Sequence, residues 1–237
     1  MNELIYEGKA KKIFKIAGDD KRVLVHFKDS LTAFNAQKMG SFENKGSINR
    51  DIASLIFKFL SAKGVKSHWI EDVGTNDMIV RKLSIIPIEV VIRNILAGST
   101  AKKFAIPEGK VLDRPIVEFY FKNDELQDPF INDDHVLMMG LAGLDEINEI
   151  KIKALDINKF LKELFAKTNI DLVDFKIEFG VDANGNIFLA DEISPDCCRL
   201  WDKQTREKYD KDRFRRDLGS IKESYELVLN KLKGLNL

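Results

Sequence analysis

Asp174-Phe-Lys-Ile-Glu-Phe-Gly-Val-Asp-Ala-Asn-Gly-Asn-Ile-Phe-Leu-Ala-Asp-Glu-Ile-Ser-Pro195 reads as two strands parted by Asn184-Gly185, the dipeptide that most strongly marks a two-residue hairpin turn. With those two residues as the turn, Ala183 faces Asn186, Phe179 faces Ala190, and Glu178 stands directly opposite Asp191. Like charges opposite one another, with Cβ atoms about 4.5–5.5 Å apart, destabilise a sheet unless a cation lies between them. Hard carboxylate oxygens at that spacing suit magnesium, which takes one or two carboxylates and fills its shell with water and phosphate oxygens. Magnesium with ATP is the chemical expectation. Alternation puts Asp174 and Lys176 on the face of Glu178 and turns Phe175, Ile177 and Phe179 toward the core. In this register Glu192 points to the apolar side, where a buried hydrogen bond is the one role open to it. An unliganded like-charge pair of this kind, worth roughly 0.2–1 kcal/mol, would make Glu178→Gln slightly stabilising. The competing reading is an exposed hairpin whose polar face only meets water.

Toward the N-terminus the chain is β-rich. Residues 4–6, 12–16 and 22–27 are short apolar runs separated by turn chemistry at Glu7-Gly8-Lys9 and Ala17-Gly18-Asp19-Asp20, which predicts a small antiparallel sheet. Residues 44–64 place Ile48, Ile52, Leu55, Ile56, Phe59 and Leu60 at helical spacing, with Gly64 where a C-terminal cap belongs. Residues 78–83 and 88–92 are β-branched runs parted by Pro87. Residues 145–167 and 221–233 return to helical periodicity. No repeat or long linker appears, so the expected boundary is soft: an N-terminal lobe over 1–84 and a C-terminal lobe over 85–237.

A length of 237 residues allows one large domain or two lobes sharing a cleft, since single cores stop growing near about 250–300 residues. Thirty-eight basic residues against 38 acidic ones leave no net field to draw nucleic acid or a membrane surface, so any polyanion site must be local. No apolar stretch approaches the roughly 18 residues of a spanning helix, and the first residues are polar at once, so a cytoplasmic protein is expected. Adjacent Cys197 and Cys198 cannot frame disulfides and lack zinc spacing, which fits a reducing compartment. His68 and His135 show no partner spacing for metal or triad chemistry, and structural roles are expected for both.

Joined to Tyr6-Glu-Gly-Lys-Ala-Lys-Lys-Ile-Phe14, the segment Asp191-Glu-Ile-Ser-Pro-Asp-Cys-Cys-Arg-Leu-Trp-Asp202 resembles the SAICAR synthetase family. The likeness continues through Asp29-Ser-Leu-Thr-Ala-Phe-Asn35, Asn44-Lys-Gly-Ser-Ile-Asn49, Ile88-Glu-Val-Val-Ile-Arg-Asn-Ile-Leu-Ala-Gly-Ser99, Asp128-Pro-Phe-Ile131 and Asp210-Lys-Asp-Arg-Phe-Arg-Arg-Asp217. These segments lie in the family's order over nearly the whole chain. The resemblance implies an α+β fold: an antiparallel β-rich N-terminal lobe covering ATP, a larger α/β C-terminal lobe, and the active-site cleft between them. It also implies an ATP- and magnesium-dependent ligase of purine biosynthesis that joins L-aspartate to carboxyaminoimidazole ribonucleotide. A carboxylate and an amine do not condense at neutral pH, because oxide is too poor a leaving group; an acyl phosphate supplies a good one.

The same resemblance assigns residues. Gly8, Lys9, Ala10 and Lys11 match the family's ATP loop, where backbone donors and ammonium groups cradle phosphates; alone, a lysine-rich turn would be solvated surface. Arg81, Lys82 and Leu83 correspond to the hinge whose backbone reads the adenine edge. Glu178 and Asp191 carry over as metal ligands. Lys176 joins them as the catalytic cation, against the plainer role of balancing Asp174 and Glu178. Arg93, Ser99 and Arg199 resemble the clamp on the nucleotide's own phosphate. Asp196 is assigned to metal through the substrate carboxylate, although an aspartate after Ser194-Pro195 often only forms a turn. Lys211, Asp212 and Arg215 lie in a charged run that would ordinarily be solvated, and the family match alone makes them substrate contacts. Asp128 has no assigned task, and Cys197-Cys198 stand where the family often carries small polar residues.

ATP, carboxyaminoimidazole ribonucleotide and L-aspartate are the expected partners, and a homodimer is compatible with the chain. A small-molecule kinase would use the same lysine loop and metal carboxylates, and a nucleotide-binding regulatory module would use them without chemistry. A nucleic-acid binder fits least.

Overall fold

The computed structural model describes residues 3–33 and 37–235. Met1 and Asn2 of the opening segment, and Phe34 and Asn35 of the 29–35 motif, lie outside the described residues.

Strands β1 (Glu3–Glu7), β2 (Lys11–Ile16) and β3 (Asp19–Phe27) pair antiparallel, and a short hairpin of β4 (Ser30–Ala33) and β5 (Lys38–Ser41) follows. After helix α1 (Lys45–Ala62), β6 (Trp69–Val73) and β7 (Asp77–Arg81) complete a five-stranded sheet in the order β1-β2-β3-β7-β6. The buried stripe of α1, with Ile48, Ile52, Ile56, Phe59 and Leu60, has the spacing that makes one helical face apolar. Its end is a paired cap: Gly64, at φ +85°, donates its N–H to the Ser61 carbonyl, and Val65 donates to that of Leu60.

The second sheet begins at β8 (Ser84–Ile85) and β9 (Ile88–Ile95), past the donor-free Pro87. Helix α2 (Gly98–Lys103), β10 (Val111–Phe121), β11 (Phe130–Ile131) and helices α3 (Asp133–Met138) and α4 (Leu144–Ala166) lead to its central strand, β12 (Ile170–Val181). The remaining elements are β13 (Ile187–Ala190), β14 (Cys198–Asp202), α5 (Asp212–Arg215) and α6 (Ile221–Lys233). Strand order is β11-β10-β9-β12-β13, with β8 and β14 also paired to β12, all antiparallel. Helix α4 covers one face through Ile147, Ile150, Ile157 and Leu161, and α6 packs on α1.

One apolar cluster runs through both sheets: Val23, Val25, Met78 and Val80 of the first, the stripe of α1, and Phe175, Ile177 and Phe179 of β12. The backbone also stitches them, since His68 donates to the Leu189 carbonyl at 2.8 Å and Leu189 to the Lys66 carbonyl at 3.0 Å.

The β12–β13 hairpin departs from the sequence expectation. Glu178 faces Ala190, Phe179 faces Leu189 and Val181 faces Ile187, one residue out of the register counted from an Asn184-Gly185 turn. The loop has three residues, 183–185: Asp182 donates to the Asn186 carbonyl, Gly185 donates to the Asp182 carbonyl, and Gly185 sits at φ +82°. The Asp182 carboxylate accepts the N–H groups of Asn184 and Asn186, both at 2.9 Å, and that capture selects a type I turn closed by a left-handed glycine. Glu178 and Asp191 are therefore not cross-strand partners.

Candidate active site

Although the register has slipped, Asp191 still reaches the neighbourhood of Glu178. It lies just past the end of β13, and its backbone is left-handed at φ +63°, a conformation aspartate tolerates better than most residues. The Lys176 ammonium donates to Glu178 Oε1 at 2.7 Å and to Asp191 Oδ2 at 2.9 Å. The cation between the two carboxylates is thus a side chain of the same strand. Lys122, just after β10, bonds Glu178 Oε2 at 2.5 Å, and Lys11 at the start of β2 pairs with both Asp191 and Glu192. Glu192, placed on the apolar side from sequence, is buried and accepts a hydrogen bond from that lysine.

Charge pairing overrides burial here. Burial alone would raise the Glu178 carboxyl, yet Lys176 and Lys122 hold it at about 2; burial likewise opposes Glu192, which Lys11 and Lys176 bring to about 2. Burial would lower the Lys176 ammonium, but Glu178, Glu89 and Glu192 raise it. Among the described residues no three metal-ligating side chains form a ready-made cage. The hard oxygens of Glu178 and Asp191 on either side of one cationic position nevertheless match the chemistry of magnesium that keeps its waters and shares phosphate oxygens.

Two cavities meet at this cluster. The first, about 600 Å³, takes Gly8, Lys9, Ala10 and Lys11 from one side and Arg81, Lys82 and Leu83 from another, with Lys176, Glu178 and Asp191 at its end. Val25, Met78 and Val80 add an apolar wall. The hinge N–H groups of Arg81 and Lys82 are already spent on the carbonyls of His68 and Lys21. Leu83 crosses over Gly180, where any Cβ would come within 2.8 Å of the leucine Cβ. The second cavity, about 360 Å³, gathers Arg93, Ser99, Asp196, Arg199, Lys211 and Arg215. Lys9, Glu89, Asp128 and Lys176 line both.

In the second cavity Asp174 is shared by two guanidinium groups, Arg93 at 2.7 Å and Arg199 at 2.8 Å. Glu118 takes Arg93 Nε at 2.8 Å, and Asp212 takes Arg199 Nε at 3.0 Å and Arg215 at 2.7 Å. Asp212 is therefore not on a solvated face; it is 1% exposed. Asp196 is more than a turn former, since its carboxylate is gripped by Lys45 at 2.5 Å and by the Tyr225 hydroxyl at 2.7 Å.

The sequence profile of the SAICAR synthetase family matches residues 4–232. The chain belongs to the SAICAR synthetase family. It is an ATP-dependent ligase of purine biosynthesis. A phosphoribosylaminoimidazole-succinocarboxamide synthase of Listeria monocytogenes is 54% identical over 98% of both chains. The crystal structure of the synthase of that name from Ehrlichia chaffeensis superposes with a TM-score of 0.95, at 48% identity over 98% of each chain. A SAICAR synthetase solved in complex with ADP gives the same TM-score at 49% identity, again over 98% of each chain.

Several residues of this family member's site had escaped sequence reasoning. Lys45 carried a signal: it falls on the apolar stripe of α1, three residues before Ile48, and is 1% exposed. Lys122, Glu89 and Tyr225 carried none, because their contacts are made across the fold. His68 lines the first cavity with its ring edge-on to Phe57, and burial together with Lys11 lowers it to about 3, so it is neutral. His135 caps α3, its Nδ1 accepting the Asn132 N–H at 3.1 Å. Asp128 stands where the cavities meet, and accepts the Asn123 N–H at 2.9 Å. Cys197 and Cys198 both line the second cavity, and the Cys197 sulfur accepts the Ser194 N–H at 3.2 Å.

Proposed function

We propose that this chain joins L-aspartate to the carboxylate of carboxyaminoimidazole ribonucleotide through an acyl phosphate, consuming ATP. The observation that carries the reading is the meeting of the two cavities at Lys176, Glu89 and Asp128, one cavity headed by a lysine-rich turn and the other by arginines. A phosphoryl donor in the first and a nucleotide carboxylate in the second would come together at that junction. The ADP bound by a relative supports the nucleotide half.

On this reading Lys9 and Lys11 bind the ATP phosphates, with the β1–β2 turn supplying backbone donors. The purine would lie against Val25, Met78 and Val80, its edge read by Leu83 and the hinge carbonyls, since two hinge N–H groups are engaged. Glu178 and Asp191 would hold magnesium, which supplies charge neutralisation at the phosphates. Arg93, Ser99, Arg199 and Arg215 grip the nucleotide's own phosphate, for which guanidinium geometry is suited. Lys176 then faces the carboxylate that accepts the phosphoryl group, where its charge favours the acyl phosphate. The γ-phosphoryl group passes to that carboxylate as ADP leaves. The aspartate amine then attacks the acyl carbon, and as the C–N bond forms inorganic phosphate departs with the C–O electrons and takes up the proton that the amine gives up. Positioning and charge neutralisation do most of the work, as in other phosphoryl transfers.

A cytoplasmic enzyme is part of this proposal; no helix among the described residues is long and apolar enough to cross a membrane. The test is ADP release with each component withheld in turn. We expect release only when ATP, magnesium, the carboxylated nucleotide and aspartate are all present. Full-rate release without aspartate would instead support the small-molecule kinase.

A further inference from the structure

Gly98 opens α2 with a left-handed backbone, φ +62°, and an added Cβ would fall 2.3 Å from Arg199 Nη2. The missing side chain is what lets the guanidinium lie against the turn that carries Ser99. The turn is held from outside. The Gly98 N–H donates to Glu108 Oε1 at 3.0 Å, and both terminal nitrogens of Arg216 bond the same carboxylate, at 3.0 and 2.5 Å. Arg216 Nη2 is also 3.4 Å from Asp212, the carboxylate that holds Arg199 and Arg215. A closed circuit results: Gly98, Glu108, Arg216, Asp212, Arg199, and back to Gly98.

We infer that Glu108 and Arg216 are positioning residues for the arginine-lined cavity, strapping the Gly98-Ser99 turn to α5 so that Ser99, Arg199 and Arg215 converge on one anionic group of the nucleotide. This rests on the function proposed above and extends it. Sequence assigned a role to neither residue, although Arg216 falls in the quoted 210–217 segment, and neither lines that cavity. Their side chains are 32% and 36% exposed. An ion pair so exposed adds little to stability, so its two-pronged geometry points to orientation. The hydrogen bond from Arg216 is the main reason that the Glu108 carboxyl falls to about 2, and the strap stays ionised at any working pH.

The test is steady-state kinetics of Glu108→Ala, Arg216→Gln and Arg216→Lys with each substrate varied in turn. A loosened turn should raise KM for the carboxylated nucleotide about tenfold in the first two, with ATP and aspartate constants and kcat within about twofold, because displacing a remote contact weakens only what it orients. Arg216→Lys, which keeps the charge but not the fork, should fall between. In thermal shift, inorganic phosphate should protect the wild type more than the variants, whereas ADP should protect all equally. If the wild type forms the amide while the variants keep its nucleotide KM, or lose all three substrates equally, the strap is overturned and the function stands. If the wild type forms no amide, the functional reading falls, and phosphate protection unchanged by the substitutions would then overturn the strap on its own.

Discussion

Glu178 is 3% exposed and sits between two ammonium groups. Its carboxyl is held at about 2 against an ordinary value of 4.5, so the folded chain binds this proton more weakly than the unfolded chain does. The carboxylate therefore contributes stability that is fully present above pH 4.5 and is lost as the pH falls toward 2. Glu178→Gln should remove that contribution, the reverse of the relief expected from two facing carboxylates. A loss on the order of 1–3 kcal/mol at neutral pH is expected, with a shallower fall of Tm across the acid range and loss of turnover. Thermal unfolding of both proteins between pH 2 and pH 7 checks it; a variant Tm at or above the wild type at neutral pH would restore the repulsion argument. Lys176 and Lys11 were legible in sequence, whereas Lys122, which bonds the other oxygen of Glu178, was not. Alternation along β12 identified Asp174, Lys176 and Glu178 as one face, but nothing local could show that Lys176 itself fills the space between the acids.

The β12–β13 hairpin shows where periodicity stops being enough. Its strands, like α1, α4 and α6, are legible because apolar residues recur with the period of the element that buries them. Register depends instead on a single loop, and there two local signals competed: Asn184-Gly185 for a two-residue turn, and Asp182 with Gly185 three residues later for a type I turn. The second prevails because the Asp182 side chain occupies two backbone donors. Asp191 then recovers its place by a left-handed backbone that no sequence pattern announces. Gly185→Ala, at φ +82° and with no atom within 4 Å of the added methyl, isolates the conformational cost from any clash. It should lower stability by about 1–2 kcal/mol. Turnover per folded molecule should hold, since the loop is remote from both cavities that meet at Lys176. Chemical denaturation beside an activity assay separates the two, and an activity loss exceeding the unfolded fraction would mean that the substitution shifts the register and displaces Asp191.

Across the whole molecule, two sheets and a cleft suggest lobes that could unfold separately, yet the apolar cluster is continuous from Val25 through Ile52 and Ile56 to Phe175 and Phe179. Helix α1 is sequentially part of the first sheet's half but packs on α6 and α4 as well. Separating the lobes would expose this shared face and break the backbone bonds of Lys66 and His68 to Leu189. Small interdomain contacts permit independent transitions, whereas a shared core makes them one. The two tryptophans allow a direct test, because Trp69 lies in β6 of the five-stranded sheet and Trp201 in β14 of the seven-stranded one. In Trp69→Phe the remaining fluorescence reports the second sheet, and in Trp201→Phe the first. Each variant shifts its own stability, so the comparison is internal: in each, fluorescence and far-ultraviolet circular dichroism should give one urea midpoint and one slope. Coincidence in both variants is the expected result of a single cooperative unit. A Trp69 signal that melts ahead of the circular dichroism would show the five-stranded sheet opening on its own, and would place the weak seam between α1 and the second sheet.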